Sequence, residues 1–114
     1  MSKEQLEKLT SEYQILQEQL QSLAIQKAQF SEQNEELKEA LAEVDKATGK
    51  IYSTIGGVMI ETSKTEATKV IKEKMDTVQL RLSLLTKQYD EAAKKEKTLR
   101  SEIEAIIKQE NPIK

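Results

Sequence analysis

From Leu6 onward the apolar residues step by three and four: Leu6, Leu9, Tyr13, Leu16, Leu20, Leu23, then Phe30, Leu37, Leu41 and Val44. With Leu6 at heptad position a, the a set is Leu6, Tyr13, Leu20, Lys27, Asn34 and Leu41. The d set is Leu9, Leu16, Leu23, Phe30, Leu37 and Val44. Ten of these twelve positions are apolar and the phase never slips, so the pattern predicts a coiled-coil helix. Ser2-Lys3-Glu4-Gln5 fits a capping box, in which the serine hydroxyl and the glutamine side chain satisfy orphan amides reciprocally. The helix is expected over 2–48.

A second pattern of the same kind follows. Its d set is Ile71, Val78, Leu85, Ala92, Leu99 and Ile106, and its a set is Met75, Leu82, Tyr89, Glu96, Ile103 and Glu110. Ser63-Lys64-Thr65-Glu66 offers another capping box. Asn111-Pro112 stops the helix, because the residue before a proline is pushed out of the helical region. This helix is expected over 63–111. Each helix is about 65–70 Å long at 1.5 Å per residue. Two seams of equal length fold back on each other, which predicts Val44 near Ile71, Lys27 near Tyr89 and Tyr13 near Ile103. Lys27 and Asn34 are polar seam positions of the kind that set register and partner choice at some cost in stability.

Between the seams, residues 49–62 break the heptad. The stretch from Gly49 to Thr62 is rich in β-branched residues and centred on Gly56-Gly57. It predicts two short strands joined by a two-residue primed turn. Ile55 should oppose Val58, Thr54 should oppose Met59, and Ser53 should oppose Ile60. One face then carries Ile51, Ile55, Val58 and Ile60, and the other carries Tyr52, Thr54 and Met59. A lone two-stranded hairpin is marginal in water and has two unpaired edges. Pairing with hairpins of other subunits, into a larger sheet or barrel, is the economical solution. The expected fold is therefore mainly α, a single domain over 1–114. It is an antiparallel coiled-coil hairpin with one short β-hairpin at the bend, contributing to an oligomeric β-barrel platform.

Other apolar residues fall outside the heptad. Ile15 and Ile25 sit at outer positions of the first helix, and Leu80 and Leu84 at outer positions of the second. The last two are placed to pack on a neighbouring subunit. Ile15, Ile107 and Ile113 lie toward the free ends, where fraying would also expose Leu6, Leu9, Ile103 and Ile106. Apolar patches at mobile ends suit adaptable contact.

Composition narrows the function classes. Of the 114 residues, 33% are charged and 4% aromatic, and mean hydropathy is −0.65. That is too little bulky filler for a compact globule, and enough for a thin seam. The net charge of −2 argues against nonspecific nucleic-acid binding, which needs a basic footprint. With no cysteine and no histidine, there is no disulfide framework and no thiolate zinc site. No catalytic constellation and no phosphate-binding glycine loop stand out, so neither an enzyme nor a cofactor is expected. No apolar run reaches membrane-spanning length and no secretory signal leads the chain. The expectation is a cytoplasmic protein with no membrane partner.

The motifs Lys50-Ile51-Tyr52, Ile55-Gly56-Gly57-Val58-Met59-Ile60 and Glu66-Ala67 resemble the prefoldin family. So do the run from Lys74-Met75 to Leu85 and Gln88, and the segment from Leu20 to Ala24-Ile25-Gln26-Lys27. The likeness is to the β class, whether an archaeal-type subunit or a eukaryotic relative. About 15 residues separate the helices, room for one hairpin at about 3.3 Å per strand residue, whereas the family's α class carries two.

The resemblance implies a hexamer of two α-class and four β subunits, with the hairpins forming the platform and the coiled coils hanging from it. It implies an ATP-independent chaperone whose distal tips hold non-native proteins and hand them to a group II chaperonin. On this chain, Ile51, Tyr52, Ile55, Val58, Met59 and Ile60 would be assembly residues. Leu6, Leu9, Ile15, Leu16, Ile103, Ile106 and Ile107 would be client contacts, and Lys108 and Lys114 would face an acidic chaperonin surface. The rival reading is a coiled-coil spacer or tether in a structural complex, which would have polar tips and one partner.

Overall fold

The computed structural model describes residues Lys3–Glu110, the side chain of Glu110 excepted. The Ser2 cap, the Asn111-Pro112 stop, the Glu110 seam position, Ile113 and Lys114 lie outside what is described. The elements are α1 (Lys3–Lys46), β1 (Ile51–Ile55), β2 (Val58–Thr62) and α2 (Lys64–Glu110). The chain divides into two compact units, Met1–Lys27 with Leu84–Lys114, and Ala28–Ser83.

In the first unit, parts of α1 and α2 run antiparallel. Tyr13 meets Glu96, and further along α1 Lys27 meets Tyr89. Among the described residues, the buried apolar ones, Leu16, Val78, Leu85, Ala92 and Ile106, all occupy d positions, and all but Val78 belong to this unit. The a positions are only half-buried, because this column carries Tyr13, Lys27, Tyr89 and Glu96, whose polar atoms need partners or water. The Lys27 ammonium lies 4.8 Å from the centre of the Tyr89 ring, so the cation is satisfied by the ring face and not by desolvated hydrocarbon. The Tyr13 hydroxyl donates to Glu96 Oε1 at 3.0 Å, one heptad from Ile103, since a phenol at a seam takes an acceptor and the isoleucine side chain has none. Glu96 Oε1 also lies 3.6 Å from Arg100 Nε.

In the second unit the same antiparallel pairing holds. Arg81 lies over the Phe30 ring, 5.9 Å from its centre, and the Lys64 ammonium donates to the Asp45 carbonyl at 2.6 Å. That carbonyl is among the last of α1, where no intrahelical donor remains and a cation is favoured. Ala47 N–H donates to the Val44 carbonyl at 3.2 Å, tightening the final turn. At the start of α2, the Ser63 hydroxyl accepts from the Glu66 N–H at 3.0 Å, the serine half of the expected capping box.

The strands pair antiparallel as Ile51↔Thr62, Tyr52↔Glu61, Ser53↔Ile60, Thr54↔Met59 and Ile55↔Val58. The three pairs read from the sequence are among them. Gly56 and Gly57 have φ of 55° and 83°, the signature of a type I′ turn, whose twist matches that of the strands.

Candidate functional site

The functional candidates among the described residues are surfaces and shallow grooves. On the hairpin, Ile51, Ser53 and Thr62 are half-buried at the end joined to the helices. Tyr52, Ile55, Val58, Met59 and Ile60 are all exposed, Met59 to 67%. Both faces of the ribbon are therefore apolar and open. The Lys50–Glu61 pair at 3.7 Å is solvent-exposed and contributes little to holding the ribbon. Two strands carry one row of paired backbone groups and leave the outer rows of both strands free.

In the first unit the expected client contacts separate into three groups. Ile15 and Ile107 are exposed, 57% and 49%. Leu6, Leu9 and Ile103 are half-buried along the seam. Leu16 and Ile106 are buried, 8% and 3% exposed, so they hold the helices together; Leu16 still lines a groove, whereas Ile106 reaches a ligand only if the pair opens. Ile15 at position c flanks the d side of the seam, while Ile107 at position e flanks the a side. The two exposed isoleucines therefore mark different surfaces.

The d side carries a groove of about 580 Å³ lined by Leu9, Glu12, Ile15, Leu16, Gln19, Lys94, Lys95, Thr98, Leu99 and Glu102. That volume lies within the range of small-ligand pockets. Its floor is leucine and its wall is Ile15. Next to it, a recess lined by Leu16, Leu23 and Ala92 is walled by Gln19, Gln26 and Gln88. The heptad text reveals Leu9, Leu16 and Leu99. The flanking Glu12, Lys95 and Glu102 at g positions, and Lys94 at f, are not among the seam residues the heptad singles out; the g column beside the d column is the signal that carries them. A separate groove in the second unit, about 870 Å³, is bordered by Phe30, Leu37, Val70 and Val78 and crossed by charged Glu73, Lys74 and Arg81. Ile25, Leu80 and Leu84 are exposed outside these grooves, and Lys108 is exposed as well.

Among the described residues, no group of three or more His, Cys, Asp or Glu is placed to hold a metal ion. No described helix is long and apolar enough to cross a membrane.

The family described as prefoldin subunit matches residues 7–110. The chain belongs to the prefoldin family. Its members are chaperones and not enzymes. Prefoldin subunit beta of Pyrococcus furiosus is 32% identical over 106 residues, covering 91% of each chain. Prefoldin subunit beta of Methanosarcina acetivorans is 31% identical over 105 residues, covering 90% of each. The crystal structure of the prefoldin beta subunit from Thermococcus strain KS-1 superposes with a TM-score of 0.84 at 29% identity, over 90% of this chain and 91% of that one. Two long helices joined by a single hairpin are thus the prefoldin β-class arrangement, as the short insert predicts.

Proposed function

We propose that this chain is a β subunit of a prefoldin-type hexamer, two α-class and four β subunits, acting in the cytoplasm as an ATP-independent holdase. The observation that carries the reading is the open ribbon. A two-stranded hairpin with five exposed large apolar residues is unstable as a free surface element and is completed by strands from other subunits. Ile51, Tyr52, Ile55, Val58, Met59 and Ile60 are the assembly residues. The free helix ends then supply client contact, through Ile15 and Ile107 first and through Leu6, Leu9 and Ile103 where the ends fray. Ile106 joins only on opening. Several weak apolar contacts from one complex give avidity without tight single sites. Each contact releases on its own, so no nucleotide is needed, and the client passes to a group II chaperonin.

The test mixes this chain with an α-class partner, records native mass, and measures suppression of aggregation of a denatured client without ATP. A complex of two α and four β that keeps the client soluble is the expected result. A monomer or simple dimer without holding activity would leave a coiled-coil spacer as the function.

A further inference from the structure

The groove on the d side of the first unit has an electrostatic direction. Because α1 and α2 run antiparallel there, Glu12 and Glu102 border one end and Lys94 and Lys95 border the other. None of these four side chains makes an ion pair among the described residues. Their charges are open to a ligand. Between them lies the leucine floor with exposed Ile15 beside it.

We infer that this groove docks one extended apolar segment of a non-native chain that carries a basic residue at one end and an acidic residue at the other. The inference rests on the holdase reading above and adds a selection rule to it. From Lys94 to Glu102 the helix advances about 12 Å at 1.5 Å per residue. An extended chain covers that distance in about four residues at 3.3 Å each. The preferred segment therefore has three apolar residues between opposite charges, the basic one beside Glu12 and Glu102 and the acidic one beside Lys94 and Lys95. Backbone direction is immaterial, since a flexible segment can enter either way round to match its charges. The recess beyond Gln19 and Lys95 continues over Leu16, Leu23 and Ala92 between polar walls, so the distance between the charged ends sets the preferred length.

Four labelled peptides test the rule. All share a Leu-Val-Leu core, with flanks of Glu and Lys, two Glu, two Lys, or two Gln. Binding to the 114-residue chain is followed by fluorescence anisotropy at low salt. The mixed-charge peptide should bind about threefold to tenfold more tightly than either like-charged one, as two solvent-exposed charge pairs allow. The advantage should shrink as salt rises. Replacing both Lys94→Glu and Lys95→Glu makes the whole rim acidic and should move the preference to the peptide with two Lys. Helicity by circular dichroism checks that the variant remains folded. Equal affinity for all four peptides, no binding by any, or an unmoved preference in the variant would overturn the inference. Client holding by the assembled complex is measured separately. If holding survives without charge preference, only the groove rule fails, whereas loss of all holding removes the chaperone reading itself.

Discussion

Asn34 shows how much one seam residue can decide. It is half-buried in the a column, and its Oδ1 is buried with no hydrogen-bond partner. An unsatisfied buried acceptor costs about 1–3 kcal/mol. Asn34→Leu should therefore raise the thermal midpoint by several degrees in a circular-dichroism melt, and an unchanged or lower midpoint would refute the cost assigned here. The same change should loosen the choice of register, since only the native alignment tolerates the amide. Tyr13 and Glu96 make the opposite case, two polar residues that satisfy each other across the seam. Tyr13→Phe should cost about 1 kcal/mol. In a double-mutant cycle with Glu96→Ala, the coupling should be comparable to that loss, and strict additivity would show that the bond contributes nothing. These residues also mark where reading the chain runs out. The heptad places Tyr13, Asn34 and Glu96 in the seam correctly. Which residue each one meets depends on the stagger between two helices more than eighty positions apart in the chain for the Tyr13–Glu96 pair, and no local pattern encodes that.

At the level of elements, the helices and the hairpin were legible because each depends on short-range rules. Apolar spacing defines the seams, Ser63 starts α2, and Gly56-Gly57 sets the strand register. The Ser63 hydroxyl bond to Glu66 N–H should contribute about 1 kcal/mol, so Ser63→Ala should lower the melting midpoint, with earlier hydrogen exchange in the first turn of α2. The turn can be tested more sharply. A methyl group built on Gly56 or Gly57 meets nothing within 4 Å, so any penalty for alanine comes from the positive φ alone. That penalty is about 1–2 kcal/mol per residue. Gly57→Ala should speed exchange of the β1 and β2 amides while leaving total helicity unchanged. Wild-type protection in the strands would mean the turn does not set the register. The groove was less legible than the strands. Its leucines belong to the d column, but the burial of Leu16 and Ile106 and the exposure of Ile15 and Ile107 depend on how two surfaces meet.

For the whole molecule, assembly is the property on which the proposed function rests, and its residues can be separated from the client-contact residues. Ile55→Lys with Val58→Lys should abolish the native-mass shift on adding an α-class partner, with the helices still folded. Ile15→Ser with Ile107→Ser should leave the mass shift intact and weaken suppression of client aggregation. If the second pair destroys assembly, the division between surfaces fails. The open ribbon also bears on how cells would keep count of this subunit. Tyr52 and Met59 stand exposed on a two-stranded element, so the residues proposed to recruit partners are accessible to a protease while no partner is present. On the proposed assembly, a subunit made in excess of its partners would be marked for removal by its own unfinished strands, and assembly would hide the mark. Limited chymotrypsin digestion should cut the lone chain at Tyr52 and spare it in the complex, which makes subunit balance a consequence of one apolar turn-and-ribbon without any dedicated degradation signal.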